Sequence, residues 1–298
     1  MTTYICIDIG GSAVKHALIN TAGVISTTGE VPTPTSLETF IATIKDIQAI
    51  YQDTQTKGIA ISMPGLVDSD TGHVIHGGAL TFIQNLNIRD LLQEACHVPV
   101  EIENDGKSAA LGEHWLGNLQ GVENGIALVI GTGIGGGIIV HNKLLRGHHL
   151  GAGEFSYMRT NSESNDFNYL FAIQGSSQIL SNTYAEIKGL KEQDMNGKLF
   201  FEDVNNDLPD ATSLLNSYTE KLAKQLMNLQ TILDPEIITI GGGISSQERL
   251  FTSLNKHIDE IVSSFPLPLI KPTVKQSSLG NKANLLGALA NFQSQVGE

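Results

Sequence analysis

Apolar positions along the chain fall into short blocks with two different spacings. Tyr4–Ile9 is a β-branched run ending in Asp8-Ile9-Gly10-Gly11-Ser12, and Val14–Ile19 follows as a second strand-like run. The pair predicts a β-hairpin around a glycine turn. Leu37, Phe40, Ile41, Ile44, Ile47 and Ile50 recur at the helical period across Leu37–Tyr51, a spacing that one face of a strand cannot satisfy. Lys57–Met63, closed by Pro64-Gly65, and Val98–Glu103, closed by Asn104-Asp105-Gly106, read as strands with polar loops at their carboxyl ends. A helix is expected over Lys107–Trp115.

The opening pattern returns at Gly125–Ile130, which runs into Gly131-Thr132-Gly133-Ile134-Gly135-Gly136-Gly137 and then the strand Ile138–Val140. Glu236–Ile240 ends at Gly241-Gly242-Gly243, with the helix-like Gln247–Val262 behind it. Two copies of strand, glycine turn and strand predict a duplicated α/β fold with a cleft between its halves. The expected division puts residues 1–115, with a C-terminal helix over about 284–298, in a smaller α/β domain, and 116–283 in a larger one with a helical insertion. Leu285, Leu286, Leu289 and Phe292 should pack that last helix on the N-terminal half, while Thr160–Asn168 and Asn205–Thr212 read as surface loops or ends of the insertion.

Composition narrows the class. At 298 residues with 41% hydrophobic and 16% charged, the chain can bury a large core. Lys plus Arg is 18 against 31 for Asp plus Glu, and the formal charge of −13 opposes binding to nucleic acid or an anionic membrane. Cys6 and Cys96 are too few for a disulfide framework or a multi-thiolate zinc site. No apolar run has membrane-spanning length and no leader pattern opens the chain, so the expected location is the cytoplasm.

The 31 glycines gather in clusters that end strands. Backbone amides of Gly10, Gly11 and Ser12 would surround a concavity suited to phosphate oxygens. Asp8 beside them would anchor a hydrated Mg²⁺, for which one carboxylate suffices. Gly131, Thr132, Gly133 and Gly135 would serve a second phosphate of the same nucleotide. A strand rather than a helix follows that turn, which removes the context of a dinucleotide fingerprint. Gly241, Gly242 and Gly243 would let a purine lie against bare backbone. Asp105 is the candidate general base toward a substrate hydroxyl, and Asn104 can both donate and accept hydrogen bonds to a polyol. Glu154 is placed to grip vicinal hydroxyls, with His148, His149 and Tyr157 close by in sequence.

These residues together resemble the ROK family of sugar kinases and related repressors, within the actin-like ATPase superfamily. The likeness rests on Asp8-Ile9-Gly10-Gly11-Ser12 through Lys15, Ser62-Met63-Pro64-Gly65, Glu103-Asn104-Asp105, Gly131-Thr132-Gly133-Ile134-Gly135-Gly136, Gly151-Ala152-Gly153-Glu154 and Ile240-Gly241-Gly242-Gly243. It implies two actin-like (ribonuclease H-like) α/β domains with a nucleotide and sugar cleft, ATP and Mg²⁺ as cofactors, and a homodimer. It also implies Asp105 as base toward the sugar 6-hydroxyl, Asn104 and Glu154 as sugar ligands, Gly65 and Gly78 as pocket lining, and Lys15 in the nucleotide motif.

Many members carry a zinc-binding His where this chain has Tyr157, together with a Cys-rich loop it lacks, so no zinc is expected. A pocket altered at the anomeric end puts a β-glucoside such as cellobiose ahead of glucose, with N-acetylmannosamine or another hexose as alternatives. A sugar-sensing repressor would need an added helix-turn-helix, for which a first strand at Tyr4 leaves no room. A different actin-like ATPase would need substantial inserted subdomains.

Overall fold

The opening strand, β1 (Thr3–Ile9), buries Tyr4 and Cys6 on one face and Ile5, Ile7 and Ile9 on the other, as the pleat dictates. The structure is a computed structural model that describes residues 2–52 and 54–297. The chain divides into two units. The first comprises Met1–Gln120, Leu144–Gly153 and Leu279–Glu298, and the second Gly121–Lys143 and Glu154–Ser278.

In the first unit β1 is followed by β2 (Ala13–Asn20), β3 (Ile25–Pro32), α1 (Leu37–Ile50) and β4 (Thr56–Met63). A small sheet of β5 (Leu66–Asp68), β6 (His73–His76) and β7 (Gln84–Asn87) comes next, then α2 (Ile88–Cys96), β8 (Val100–Asn104) and α3 (Asp105–Leu116). The main sheet runs β3-β2-β1-β4-β8, with β1 antiparallel to β2 and parallel to β4, and β4 parallel to β8.

The second unit repeats this plan. It carries β9 (Gly125–Ile130), β10 (Ile134–Val140), β11 (Lys143–Leu144), α4 (Phe171–Gln174), α5 (Ser177–Lys188), α6 (Gly197–Asn205), α7 (Pro209–Leu233), β12 (Ile237–Gly241), α8 (Glu248–Ser264) and β13 (Val274–Gln276). Its sheet runs β11-β10-β9-β12-β13, with β9 antiparallel to β10 and parallel to β12, and β12 parallel to β13. Strand order and sense match in the two sheets, as the duplicated glycine turns led one to expect. Helices α4 to α7 fill the interval that α1 alone occupies in the first unit. The chain ends in α9 (Ala283–Val296), back in the first unit.

The two faces of β1 explain the packing of its unit. Ile5, Ile7 and Ile9 meet Phe40, Ile44 and Ile47 of α1 and Ile88 and Leu92 of α2. Tyr4 and Cys6 meet Leu285, Leu289 and Phe292 of α9, with the Tyr4 and Phe292 rings 5.1 Å apart. A capping box between Ser36 and Thr39 starts α1. The second core joins Ile126, Leu128 and Ile130 to Ile238, Ile240, Leu222, Leu226, Leu250 and Leu254. No helix among the described residues is long and apolar enough to cross a membrane.

One element differs from the sequence reading. Strand β10 starts at Ile134 rather than Ile138, because Gly135, Gly136 and Gly137 pair with Val129, Leu128 and Ala127. Glycine there serves close packing, since a Cβ on Gly136 would lie 2.6 Å from the Phe155 ring. Of the two readings of Asn205–Thr212 the structure has the second, helix ends: α6 stops at Asn205 and Pro209 opens α7 at a position where its missing N–H costs nothing.

Helices α3 and α9 touch through backbone. A Cβ on Gly287 would overlap the Ser108 carbonyl, and one on Gly112 the Ala283 carbonyl. Gly287→Ala is therefore expected to destabilise the first unit by about 1–3 kcal/mol, the scale of overpacking. The exposed Ser294→Ala should stay within about 0.5 kcal/mol. Chemical denaturation midpoints check both.

Candidate active site

Asp8 lies near the end of β1, opposite Lys15 of β2 and Ser62 of β4. Its Oδ1 accepts from Ser62 Oγ at 3.1 Å and from Asn284 Nδ2 at 2.9 Å. Burial pushes the Asp8 carboxyl above its ordinary value, against the opposing pull of these hydrogen bonds and of Lys15. The following turn is closed by Gly10 N donating to Ala13 O at 2.9 Å and by Thr33 Oγ1 donating to Gly10 O at 2.7 Å. Gly11 and Ser12, both exposed, form its open edge.

The residues fit Mg²⁺ by their chemistry. Asp8 offers a hard carboxylate whose hydrogen bonds both end on Oδ1, and a cation beside it would offset the burial cost. Among the described residues no three His, Cys, Asp or Glu side chains gather into a metal-binding group.

At the junction of β8 and α3, Asn104 does three things. Its Oδ1 caps the helix by accepting Lys107 N at 3.0 Å. Its Nδ2 donates to Gly65 O at 2.9 Å and to Asp105 Oδ1 at 3.1 Å. Gly106 N also donates to Asp105 Oδ1, at 2.7 Å, so the half-buried carboxylate is oriented from two sides. Both amide hydrogens of Asn104 thus go to protein acceptors, and what it can offer a ligand is the second lone pair of Oδ1.

Gly65 (φ +107°) is required where it stands, because a Cβ would overlap the His76 carbonyl. Gly78 (φ +58°) adjoins it, a Cβ there lying 3.2 Å from Gly65 N, and Gly78 N donates to His76 Nδ1 at 3.3 Å. A Cβ on Gly11 would be 4.0 Å from the Ala79 Cβ. The first unit therefore sets Gly78, Gly65, Asn104 and Asp105 next to one another, with Gly11 near Ala79 at the edge of the group.

The turn after β9 is closed by Gly131 N donating to Gly133 O at 2.9 Å. Gly131 O accepts Ser177 N at 2.9 Å and Ser177 Oγ at 2.8 Å, which fixes the turn to the start of α5. Thr132 and Gly133 are exposed, and a Cβ on Gly133 would meet nothing within 4 Å. Packing does not ask for glycine there. Gly135 lies inside β10, opposite Val129.

Gly241 ends β12 against Ser277, while Gly242 (φ +89°) abuts the Ile130 carbonyl so closely that any Cβ would overlap it. That contact sets the two glycine turns of this unit side by side. Gly243 is exposed and open. A cavity of 630 Å³ beside Thr132 is lined by Ser177, Ser181, Asn182, Lys191 and Asn196.

Glu154, half-buried, follows Gly153 (φ +80°), and its carbonyl accepts Tyr157 N at 3.2 Å. Tyr157 is 64% exposed, and the His148 and His149 rings meet edge-on at 4.6 Å. Sequence also offers Gly106-Lys107-Ser108, but a phosphate-loop pattern needs Gly at the place of Glu101, and the tripeptide lies inside α3 with Lys107 buried.

Sequence reasoning missed Ser62 and Asn284 as partners of Asp8, and Arg146, which pairs with the buried Glu103 at 2.8 Å. Only the last left a signal, since an acid in a buried strand calls for a cation.

The ROK family profile matches residues 4–295. A β-glucoside kinase of Listeria innocua is 33% identical over 292 residues, covering 96% of this chain and 95% of that protein. A ROK family protein from Streptococcus pneumoniae, solved in complex with sucrose, superposes with a TM-score of 0.90 at 28% identity, covering 99% of each chain. A ROK family glucokinase from Streptomyces griseus, solved with glucose and AMPPNP, gives a TM-score of 0.84 at 25% identity, covering 96% of this chain and 98% of that one.

Because the folded-state pKa of Asp8 is raised, its ionisation works against folding. Stability is fully present below the unfolded carboxylate value of about 3.9 and falls as pH rises through the folded value. Asp8→Asn keeps the Oδ1 acceptor and removes the charge. Thermal melts should show the variant more stable than the parent at pH 7, with the gain vanishing at pH 3.

Proposed function

The chain belongs to the ROK family, and we propose that it transfers the γ-phosphoryl group of ATP to the 6-hydroxyl of a glucose unit, a β-glucoside such as cellobiose ahead of free glucose. The observation that carries this reading is the Asp105 carboxylate, oriented by Asn104 Nδ2 and Gly106 N at the start of α3 and linked through Asn104 to the Gly65 and Gly78 backbone. A carboxylate so held can accept the proton of an attacking hydroxyl, while bare backbone beside it leaves room for a sugar ring.

In this reading Glu154 grips sugar hydroxyls, Asn104 contributes the free lone pair of Oδ1, and Gly65 and Gly78 line the sugar pocket. Gly11 and Ser12 at one turn and Thr132 and Gly133 at the other present amides to phosphate oxygens, with Gly10, Gly131 and Gly135 shaping those turns and Lys15 adding positive charge. Gly241, Gly242 and Gly243 leave space for the base. Asp8 would hold Mg²⁺ through water, and the ion when bound would neutralise phosphate charge.

The preference for a β-glucoside draws on the 33% identical relative named for that activity. The exposed Tyr157, at the place of the family's zinc-binding His, is consistent with an anomeric end open to an aglycone. Free glucose is the second reading, favoured by the glucokinase neighbour. A homodimer and a cytoplasmic location belong to the same proposal, the latter supported by two buried cysteines with free thiols.

Asp105→Asn should lower kcat at least about 10²-fold, the scale of positioned general-base catalysis, with the KM for ATP nearly unchanged. Near-normal turnover would remove Asp105 from that role. Glu154→Gln should raise the KM for sugar more than that for ATP in the same coupled assay. With cellobiose and glucose compared side by side, a higher kcat/KM is expected for cellobiose, and the reverse order would make the protein a glucokinase.

A further inference from the structure

Leu144–Gly153 is a strap that packs with the first unit although the chain on either side of it belongs to the second. Arg146 fastens it. The guanidinium donates through Nε at 3.0 Å and Nη2 at 2.8 Å to Glu103 Oε2, and through Nη2 to Asn291 Oδ1 at 3.0 Å. Glu103 is fully buried, and its Oε2 also accepts Ser69 Oγ at 2.8 Å. Its Oε1 accepts Asn104 N at 2.8 Å, the amide of the residue that orients Asp105.

The Arg146 carbonyl accepts Ala152 N at 3.1 Å, which closes the strap on itself just ahead of Gly153 and Glu154. One side chain thus ties the peptide carrying Asn104 and Asp105 to the segment that leads into Glu154.

Resting on the kinase reading above, we propose that Arg146 is a positioning residue for the sugar site: through Glu103 and the Asn104 amide it holds, Arg146 fixes where the Asp105 carboxylate stands. A point-charge lysine cannot reproduce the two-nitrogen grip on one carboxylate oxygen. Displacement of about 1 Å at a reacting group can cost about 10²-fold in rate. Loss of the cation alone would also leave a buried carboxylate short of its partner, which lowers stability for a reason unrelated to catalysis.

The test therefore uses Arg146→Lys, Arg146→Met and the double variant Glu103→Gln/Arg146→Met, each assayed for kcat, sugar KM, ATP KM and thermal midpoint. Arg146→Lys should lower kcat/KM for sugar about 10-fold or more, with ATP KM within about twofold. The double variant should recover the thermal midpoint lost in Arg146→Met while its sugar kinetics stay impaired.

Unchanged sugar kinetics in Arg146→Lys, or kinetics that recover with the midpoint in the double variant, would overturn the positioning role. Parent protein that phosphorylates none of the hexoses or β-glucosides would overturn the kinase reading and the inference resting on it, a result distinct from an active parent with indifferent variants.

Discussion

Burying a carboxylate costs several kcal/mol unless protein partners replace its water, and Glu103 has no exposed surface at all. That constraint organises the carboxyl end of β8. Four donors converge on the two oxygens: Ser69 Oγ, Asn104 N, and Nε and Nη2 of Arg146. They reach Glu103 from the stretch after β5, from the next residue in β8 and from a strap more than forty residues away in sequence. Asn104 is then held by its own backbone and is left to cap α3, bind the Gly65 carbonyl and steer Asp105. The Asp105 carboxylate two residues on is only half-buried, in contrast to Glu103.

The glycines separate into two physical groups, which bears on what each turn is for. At Gly65, Gly242 and Gly287 a side chain would strike backbone, so the fold itself demands glycine. At Gly133 and Gly243 a side chain would strike nothing, and φ at neither is positive. Stability gives no reason to avoid alanine at those two exposed positions, whereas a ligand lying against the amides would. This contrast supports the nucleotide assignment more strongly than the number of glycines, which cannot distinguish a tight turn from a bare wall.

Most of the fold was legible because its signals are local. The β-branched run Tyr4–Ile9, the helical spacing across Leu37–Tyr51 and the repeated strand, glycine turn and strand each report on neighbours a few residues apart, and the strands and helices formed there. The polar run Asn205–Asp207 left loop and helix end equally open, and Pro209, preorganised for a first helical position, is what starts α7 there. Asn284 and Arg146 were hidden because their partners Asp8 and Glu103 lie far off in the chain. Asp105 could be named from its motif, but that Asn104 spends both amide hydrogens on protein acceptors could be learned only from coordinates.

Duplication gave the protein two equivalent hairpins, and comparing their registers shows how they diverged. In the first, Ile9 pairs with Val14 and the preceding rung sets Asp8 against Lys15. In the second, Ile130 pairs with Ile134 and the same rung sets Val129 against Gly135. One copy thus carries a half-buried carboxylate with a cation across from it, and the other carries no charge on that rung. A carboxylate in place of Val129 would have glycine rather than a cation across from it, and its burial would go without that compensation. Placing the acid in the hairpin that carries Lys15, where Ser62 of β4 and Asn284 of α9 also reach it, keeps its burial cost partly offset.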